Sequence, residues 1–197
     1  LIDKAYSQNS ETNFYLDKLN VKNIKSIGNL KFIENHNYKT DKADKKIFSQ
    51  FKKYKTFIAA STHETEELFA ARTHILLNKK NKKIITIIIP RHINRVGQII
   101  SEISELGLKV VTRSSNKVEL TDIDIFIVDT FGETEKFYKF ATTVFLGKSI
   151  VKGGGQNPLE PARFGAKILH GPGVSNFKDV YKYLSLIHIS EPTRRRT

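Results

Sequence analysis

Three glycines, Gly153-Gly154-Gly155, run into Gln156-Asn157-Pro158-Leu159-Glu160-Pro161. Glycines let a backbone approach a ligand with no Cβ in the way. Asn157 is a good helix N-cap, Pro158 suits a first helical position, and Glu160 stands where a capping-box acid belongs. A helix end favours anions and a carboxylate accepts from paired hydroxyls, so this stretch suits a sugar or a nucleotide. A flexible loop before an ordinary capped helix fits the same residues. Arg91 offers a planar fork of donors matched to phosphate, and His92 adds a ring donor; a solvated loop is the plainer reading of that pair. Thr130-Phe131-Gly132-Glu133 opens a helix whose free N–H groups could cradle a phosphate, or Thr130 and Glu133 simply cap it. Ser61 and Thr62 supply hydroxyls and His63 an acid, base or donor, with an ordinary cap as the alternative for Thr62.

The elements that must position these residues alternate regularly from Lys55 onward. Thr56–Ala60, Ile84–Ile89, Leu108–Val111, Ile123–Val128, Thr143–Gly147 and Ala166–His170 read as strands. Glu64–Leu77, Val96–Leu106, Glu133–Ala141 and Asn176–Leu184 read as helices, the second stopping at Gly107. The unbroken apolar run at 84–89 suits a strand covered on both faces. Strand–helix alternation predicts an α/β fold with a doubly wound parallel sheet of about six strands, and ligands bind beyond the carboxyl ends of such strands. Every candidate residue from Ser61 onward falls at one of those ends. Upstream, Ser10 is expected to cap a helix through Leu19 with Phe14, Tyr15, Leu16 and Leu19 as its apolar face. A strand over Val21–Ile27 and a short helix over Lys45–Lys53 follow. Residues 1–40 read as the end of a preceding domain with its linker, and 41–184 as the nucleotide-binding domain. Residues 185–197 break the last helix's pattern, resemble a translated adapter tail, and are set aside as artefactual or disordered.

The net charge is +13 and there is no Cys. The latter excludes disulfides and thiolate metal sites, and no metal is expected. The lysines are scattered among abundant Ile and Asn, which points to compositional drift rather than nucleic-acid binding. No run reaches the roughly 18 apolar residues of a membrane span. The start, Leu1-Ile2-Asp3, suggests a chain that begins within a longer protein. Gly147-Lys148-Ser149 lacks the first glycine of a P-loop, since Thr142 stands there. His63-Glu64 lacks the second histidine of a zinc-protease helix, since Glu67 stands there, and no G-x-G-x-x-G follows a strand. A P-loop NTPase, a metalloprotease and a dehydrogenase are disfavoured.

Six segments in order carry a family likeness: Gly28-Asn29-Leu30-Lys31-Phe32, Ala60-Ser61-Thr62-His63-Glu64, Pro90-Arg91-His92, Asp129-Thr130-Phe131-Gly132-Glu133, Gly153 to Pro161, and Gly171-Pro172. Over residues 1–184 the chain resembles the C-terminal half of the 3-deoxy-D-manno-octulosonic acid (Kdo) transferases, bacterial lipid A glycosyltransferases. It departs from them at Ile93-Asn94-Arg95, where the family has Pro-Glu-Arg, and near Gly173, where a His is missing. The resemblance implies a GT-B glycosyltransferase whose C-terminal Rossmann-like domain binds the donor CMP-Kdo. The acceptor is a lipid A precursor, met at the cytoplasmic face of the inner membrane, with no metal or further cofactor. Arg91 and His92 are implied at the donor phosphate, with the backbone of Phe131, Gly132 and Glu133 along it and Asn157 beside it. Glu160 is implied at the ribose hydroxyls, and Lys31, Ser61, Thr62 and His63 nearer the sugar or the cleft. No catalytic residue is implied in this chain. The general-base glutamate is expected in the N-terminal half, so the fragment alone is expected to be inactive. Some positive charge would face anionic lipid, at roughly 1 kcal/mol per lysine near the surface. Two rivals stand beside this: a GT-B enzyme using a UDP- or ADP-sugar, and a non-catalytic basic module binding nucleic acid.

Overall fold

The computed structural model describes residues 2–28, 42–80, 83–115, 119–151, 153–186 and 189–192. The chain forms two compact units, Leu1–Lys39 and Thr40–Thr197. The first is a small βαβ: β1 (Ala5–Ser7), α1 (Ser10–Lys18) and β2 (Ile24–Ser26), with the two strands parallel. The cap of α1 is Asn9 rather than Ser10, its side-chain oxygen accepting from the Thr12 N–H at 2.8 Å. The expected apolar face is not buried: Phe14, Tyr15 and Leu19 are all exposed, because a two-stranded sheet is too small to cover that helix.

The second unit begins with α2 (Lys42–Phe51), β3 (Lys55–Thr62), α3 (Glu66–Lys80), β4 (Ile84–Pro90) and α4 (Val96–Ser104). It continues with β5 (Val110–Thr112), β6 (Ile125–Ile127), α5 (Thr134–Tyr138), β7 (Thr143–Leu146) and α6 (Leu159–Arg163). It closes with β8 (Lys167–His170), α7 (Lys178–Leu186) and β9 (Ser190–Pro192). The sheet order is β5-β6-β4-β3-β7-β8-β9, with every pairing parallel. The six expected strands are all present. A seventh, β9, comes from the segment set aside at 185–197: Ser190–Pro192 pairs with Ile168–His170, and α7 runs on to Leu186. The sequence hid this because a three-residue edge strand carries almost no periodic signal.

Strand side chains alternate between two cores, as period-2 geometry demands. Ile58, Ala60, Ile85, Ile87, Phe126, Val144 and Ile168 pack with Ile47, Phe48 and Phe51 of α2, with Phe137 and Tyr138 of α5, and with Leu159 and α7. Phe57, Ala59, Ile88, Ile125, Ile127 and Phe145 pack against Ala70 and Ala71 of α3 and Ile99 and Ile103 of α4. Helices α3 and α4 thus lie on one face, and α2, α5, α6 and α7 on the other. The chain leaves β3 in one direction and β7 in the other, on opposite faces of the sheet. The neighbours β3 and β7 therefore form the topological switch point, where a doubly wound sheet opens a crevice at its carboxyl edge.

Candidate functional site

Because all the strands are parallel, the loops after β3, β4, β6 and β7 emerge on one rim. The first two meet directly: the Arg91 N–H donates to the Thr62 carbonyl at 2.9 Å, and the His63 and His92 rings stack edge-to-face with centroids 5.5 Å apart. Ser61 and Thr62 are the last residues of β3 rather than a helix cap, and Thr62 is fully buried. The helix begins at Glu66, two residues later than the spacing suggests, because Thr65 takes a left-handed φ of 74° and breaks the run. Arg91 and His92 are exposed.

A residue the sequence did not single out organises this corner. The Glu66 carboxylate, wholly buried, accepts four backbone N–H groups. Oε2 takes those of His63 at 2.9 Å and Lys148 at 2.7 Å, and Oε1 those of Ser149 at 3.2 Å and Ile150 at 3.1 Å. A first-turn acid reads as an ordinary helix-dipole partner, so nothing local announces a clamp joining loops 82 to 84 residues apart. The two loops also touch at Gly147, where a Cβ would come within 2.3 Å of the Ser61 carbonyl oxygen. Next to Glu66, the buried Glu67 pairs with Arg95 at 3.2 Å, and burial pushes its carboxyl above the usual range while Arg95 opposes.

The glycine loop is packed differently from expectation. The space left by its missing Cβ atoms is filled by the protein itself: the Lys148 stem against Gly153, Asn176 against Gly154, and Gly173 with Val174 against Gly155. Gly154 and Gly155 have φ of 79° and 77°, which L-residues rarely adopt. The loop is held by Gly155 N–H to Lys148 O at 3.0 Å, Asn176 N–H to Gly154 O at 3.0 Å, and the Tyr181 hydroxyl donating to Gln156 O at 3.1 Å. Its glycines therefore serve loop packing. The Asn157 side-chain Oδ1 accepts from the Leu159 N–H at 3.2 Å and its Nδ2 donates to Glu160 Oε1 at 3.4 Å. Helix α6 therefore starts one residue later than expected: Pro158 holds the N-cap position without a side-chain cap bond, and Asn157 closes a turn ahead of it.

Phe131, Gly132 and Glu133 precede α5, which packs against α6. The buried Tyr138 of α5 has its phenol pushed well above its ordinary value, by burial first and then by the nearby Glu160 carboxylate. So the β6 loop and the Asn157–Glu160 turn are carried by adjoining helices. Each helix has only five residues, too short for a strong end dipole. Phe131 is 78% exposed, with its ring free for contact. Glu133 is neither free nor a capping-box acid. It accepts from Arg113 Nε at 3.1 Å, Lys136 Nζ at 3.0 Å and the Thr130 hydroxyl, while the buried Asp44 binds the same two cations. A cleft of about 490 Å³ is lined by Arg113, Ser114, Thr130, Phe131, Gly132 and Glu133, with Lys136. Arg91, Asn157 and Glu160 lie on the same rim outside that cleft. A larger cavity of about 690 Å³ includes no candidate residue; Tyr54, Ile84, Asp122 and Asp124 place it at the opposite edge. Lys31 lies outside the described residues.

Burial raises the Glu133 carboxyl, but Arg113, Thr130 and Lys136 outweigh it and hold the pKa down to about 2. A depressed carboxylate stabilises the fold above its unfolded pKa and loses that contribution as pH falls toward 2. Acid titration of the melting temperature should therefore show a loss between about pH 4.5 and pH 2. Glu133→Gln should flatten that part of the curve; an unchanged acid limb would show that the cluster contributes nothing. Among the described residues no group of three or more His, Asp or Glu could hold a metal ion, and no helix is long and apolar enough to cross a membrane.

No protein-family model matches the chain. Individual relatives do. A 3-deoxy-D-manno-octulosonic acid transferase of Haemophilus influenzae is 30% identical over 172 residues, 85% of this chain and 38% of that protein. One from Rickettsia felis is 34% identical over 169 residues, 84% of this chain and 36% of that protein. The chain thus spans well under half the length of these relatives and corresponds to a C-terminal part of them. A solved structure described as the C-terminal CMP-Kdo binding domain of WaaA from Acinetobacter baumannii superposes with a TM-score of 0.71. It is 23% identical, the match covers 76% of this chain and 79% of that one, and the fold is shared.

Proposed function

We infer that this chain is the donor-binding part of a Kdo transferase, holding the CMP-Kdo donor at the carboxyl rim of its sheet. The single observation that carries this reading is that the candidate segments all leave the sheet at one carboxyl rim, on both sides of the switch point. Arg91, His92 and His63 come from adjacent strands, and the Phe131–Glu133 and Asn157–Glu160 segments lead into two adjoining helices. A sugar nucleotide needs cations and N–H donors for phosphate, a carboxylate for ribose hydroxyls and a face for the base. Arg91 and His92 supply the first, Glu160 the second and the exposed Phe131 ring the third. The full reaction would move Kdo to a lipid A precursor at the cytoplasmic face of the inner membrane. This part would stabilise the leaving CMP with positive groups, while a base elsewhere takes the acceptor proton. Contact with anionic lipid would draw on the chain's excess of lysine and arginine.

Amide chemical-shift mapping with CMP tests the reading. Shifts are expected at Arg91 and His92, at Phe131 to Glu133 and at Asn157 to Glu160. Shifts confined to the opposite edge, around Asp122 and Asp124, would reject it.

A further inference from the structure

The crevice between β3 and β7 holds more positive charge than the donor reading has used. Lys148 stands one residue beyond Gly147, past the end of β7 at Leu146, and is half-buried. Its backbone takes a left-handed φ of 55°, a conformation that disfavours any residue with a side chain. Three contacts fix it there. Its N–H donates to Glu66 Oε2 at 2.7 Å, and its carbonyl accepts from Gly155 at 3.0 Å. Its stem lies across Gly153, where a Cβ would stand 2.7 Å from Lys148 Cε and 2.8 Å from Cγ. The side chain is therefore laid along a groove that glycine leaves open.

The ammonium at the end of that stem has no acidic partner among the described residues, and neither has the Arg91 guanidinium. Three other cations near the rim loops do have acids: Arg95 pairs with Glu67, and Arg113 and Lys136 pair with Asp44 and Glu133. Glu66 lies beneath Lys148 but is wholly buried, and both its oxygens are occupied by backbone donors. His63 ties these two cations, Lys148 and Arg91, to one place. Its N–H shares Glu66 Oε2 with that of Lys148, and its ring meets that of His92, the neighbour of Arg91. Burial lowers the His63 pKa most; Glu66 opposes this, and His92, Lys148 and Arg91 lower it further. His63, His92, Lys148 and Arg91 outnumber the single Glu66 carboxylate here, and an arriving anion relieves their mutual repulsion.

We propose that Lys148 is a ligand for the anionic end of the donor, acting with Arg91 across the β3–β7 crevice. The inference rests on the donor reading above and deepens it. In a CMP-linked 2-keto acid sugar, a phosphodiester and a carboxylate flank the same glycosidic bond. Either is an oxyanion that a lysine point charge and an arginine fork can share.

The test is a titration of the chain, wild type, Lys148→Gln and Lys148→Arg, with CMP and with CMP-Kdo, together with thermal melts. Glutamine keeps the first two methylenes of the stem, puts a neutral amide where Cδ and Cε lay, and loses the charge. It should weaken binding about tenfold with an unchanged melting temperature, and arginine should restore most of the affinity. Loss toward both ligands identifies the phosphate as the partner; loss toward CMP-Kdo alone identifies the carboxylate; either supports the proposal. Wild-type affinity in Lys148→Gln, or an affinity loss that tracks a fall in melting temperature, overturns it while CMP binding by the wild type leaves the donor reading standing. A wild type that binds neither ligand removes both.

Discussion

Glu66→Gln should lower the free energy of unfolding by roughly 3 kcal/mol, the cost of breaking a buried charge-assisted network. That corresponds to a fall in melting temperature of roughly 6–12 °C for a domain of this size. The substitution is nearly isosteric, so no cavity accompanies it. Its effect comes from chemistry alone. The carboxylate presents two oxygens, each accepting two backbone N–H groups: His63 and Lys148 on one, Ser149 and Ile150 on the other. An amide presents one oxygen and one NH2. Whichever way it turns, two backbone donors face a donor in a site closed to water. The β3 and β7 loops then lose their common anchor, and CMP affinity should fall along with stability. Urea unfolding measures the first effect and titration the second. A variant with wild-type stability would show that water or a rearranged loop replaces the carboxylate, and that the clamp is dispensable.

Arg91→Ala should weaken CMP binding roughly 10- to 100-fold, the range expected for losing a charge-assisted contact to phosphate. The melting temperature should hardly move, because the side chain is exposed and lacks an ion-pair partner among the described residues. Glu160→Ala should weaken binding by a similar factor. It should also cost some stability, since Glu160 accepts from Asn157 in the α6 turn. The two losses should differ in salt dependence. Removing the arginine should flatten the dependence of affinity on ionic strength, and removing the glutamate should not. Equal binding by both variants would move the nucleotide elsewhere on the molecule.

The sheet was legible because its signal is periodic. The apolar runs at 84–89, 123–128 and 143–147 can satisfy their side chains only inside a two-layered core, and all became central strands. The helix faces were legible where a large core waited for them, as with Ile47, Phe48 and Phe51 of α2, and not where it did not, as with Phe14 and Tyr15 of α1. Placement of the candidate residues followed from the strand ends, because parallel topology sends all those loops to one rim. Their internal wiring did not follow. Glu66 and the Asp44–Arg113–Glu133–Lys136 cluster join residues far apart in sequence, and no local pattern encodes which acid meets which base. The glycine loop misled for a related reason. Three adjacent glycines look the same whether the atom that needs the space belongs to a ligand or to Lys148, Asn176 and Gly173.

The central claim is that this rim was built for a cytidylate leaving group, and one competition experiment addresses it. With the chain at fixed concentration, a fluorescent cytidine nucleotide is displaced by CMP or by UDP. CMP should displace it at several-fold lower concentration than UDP, and the advantage should disappear in Arg91→Ala. Tighter displacement by UDP, or no saturable binding of either nucleotide, would contradict the account.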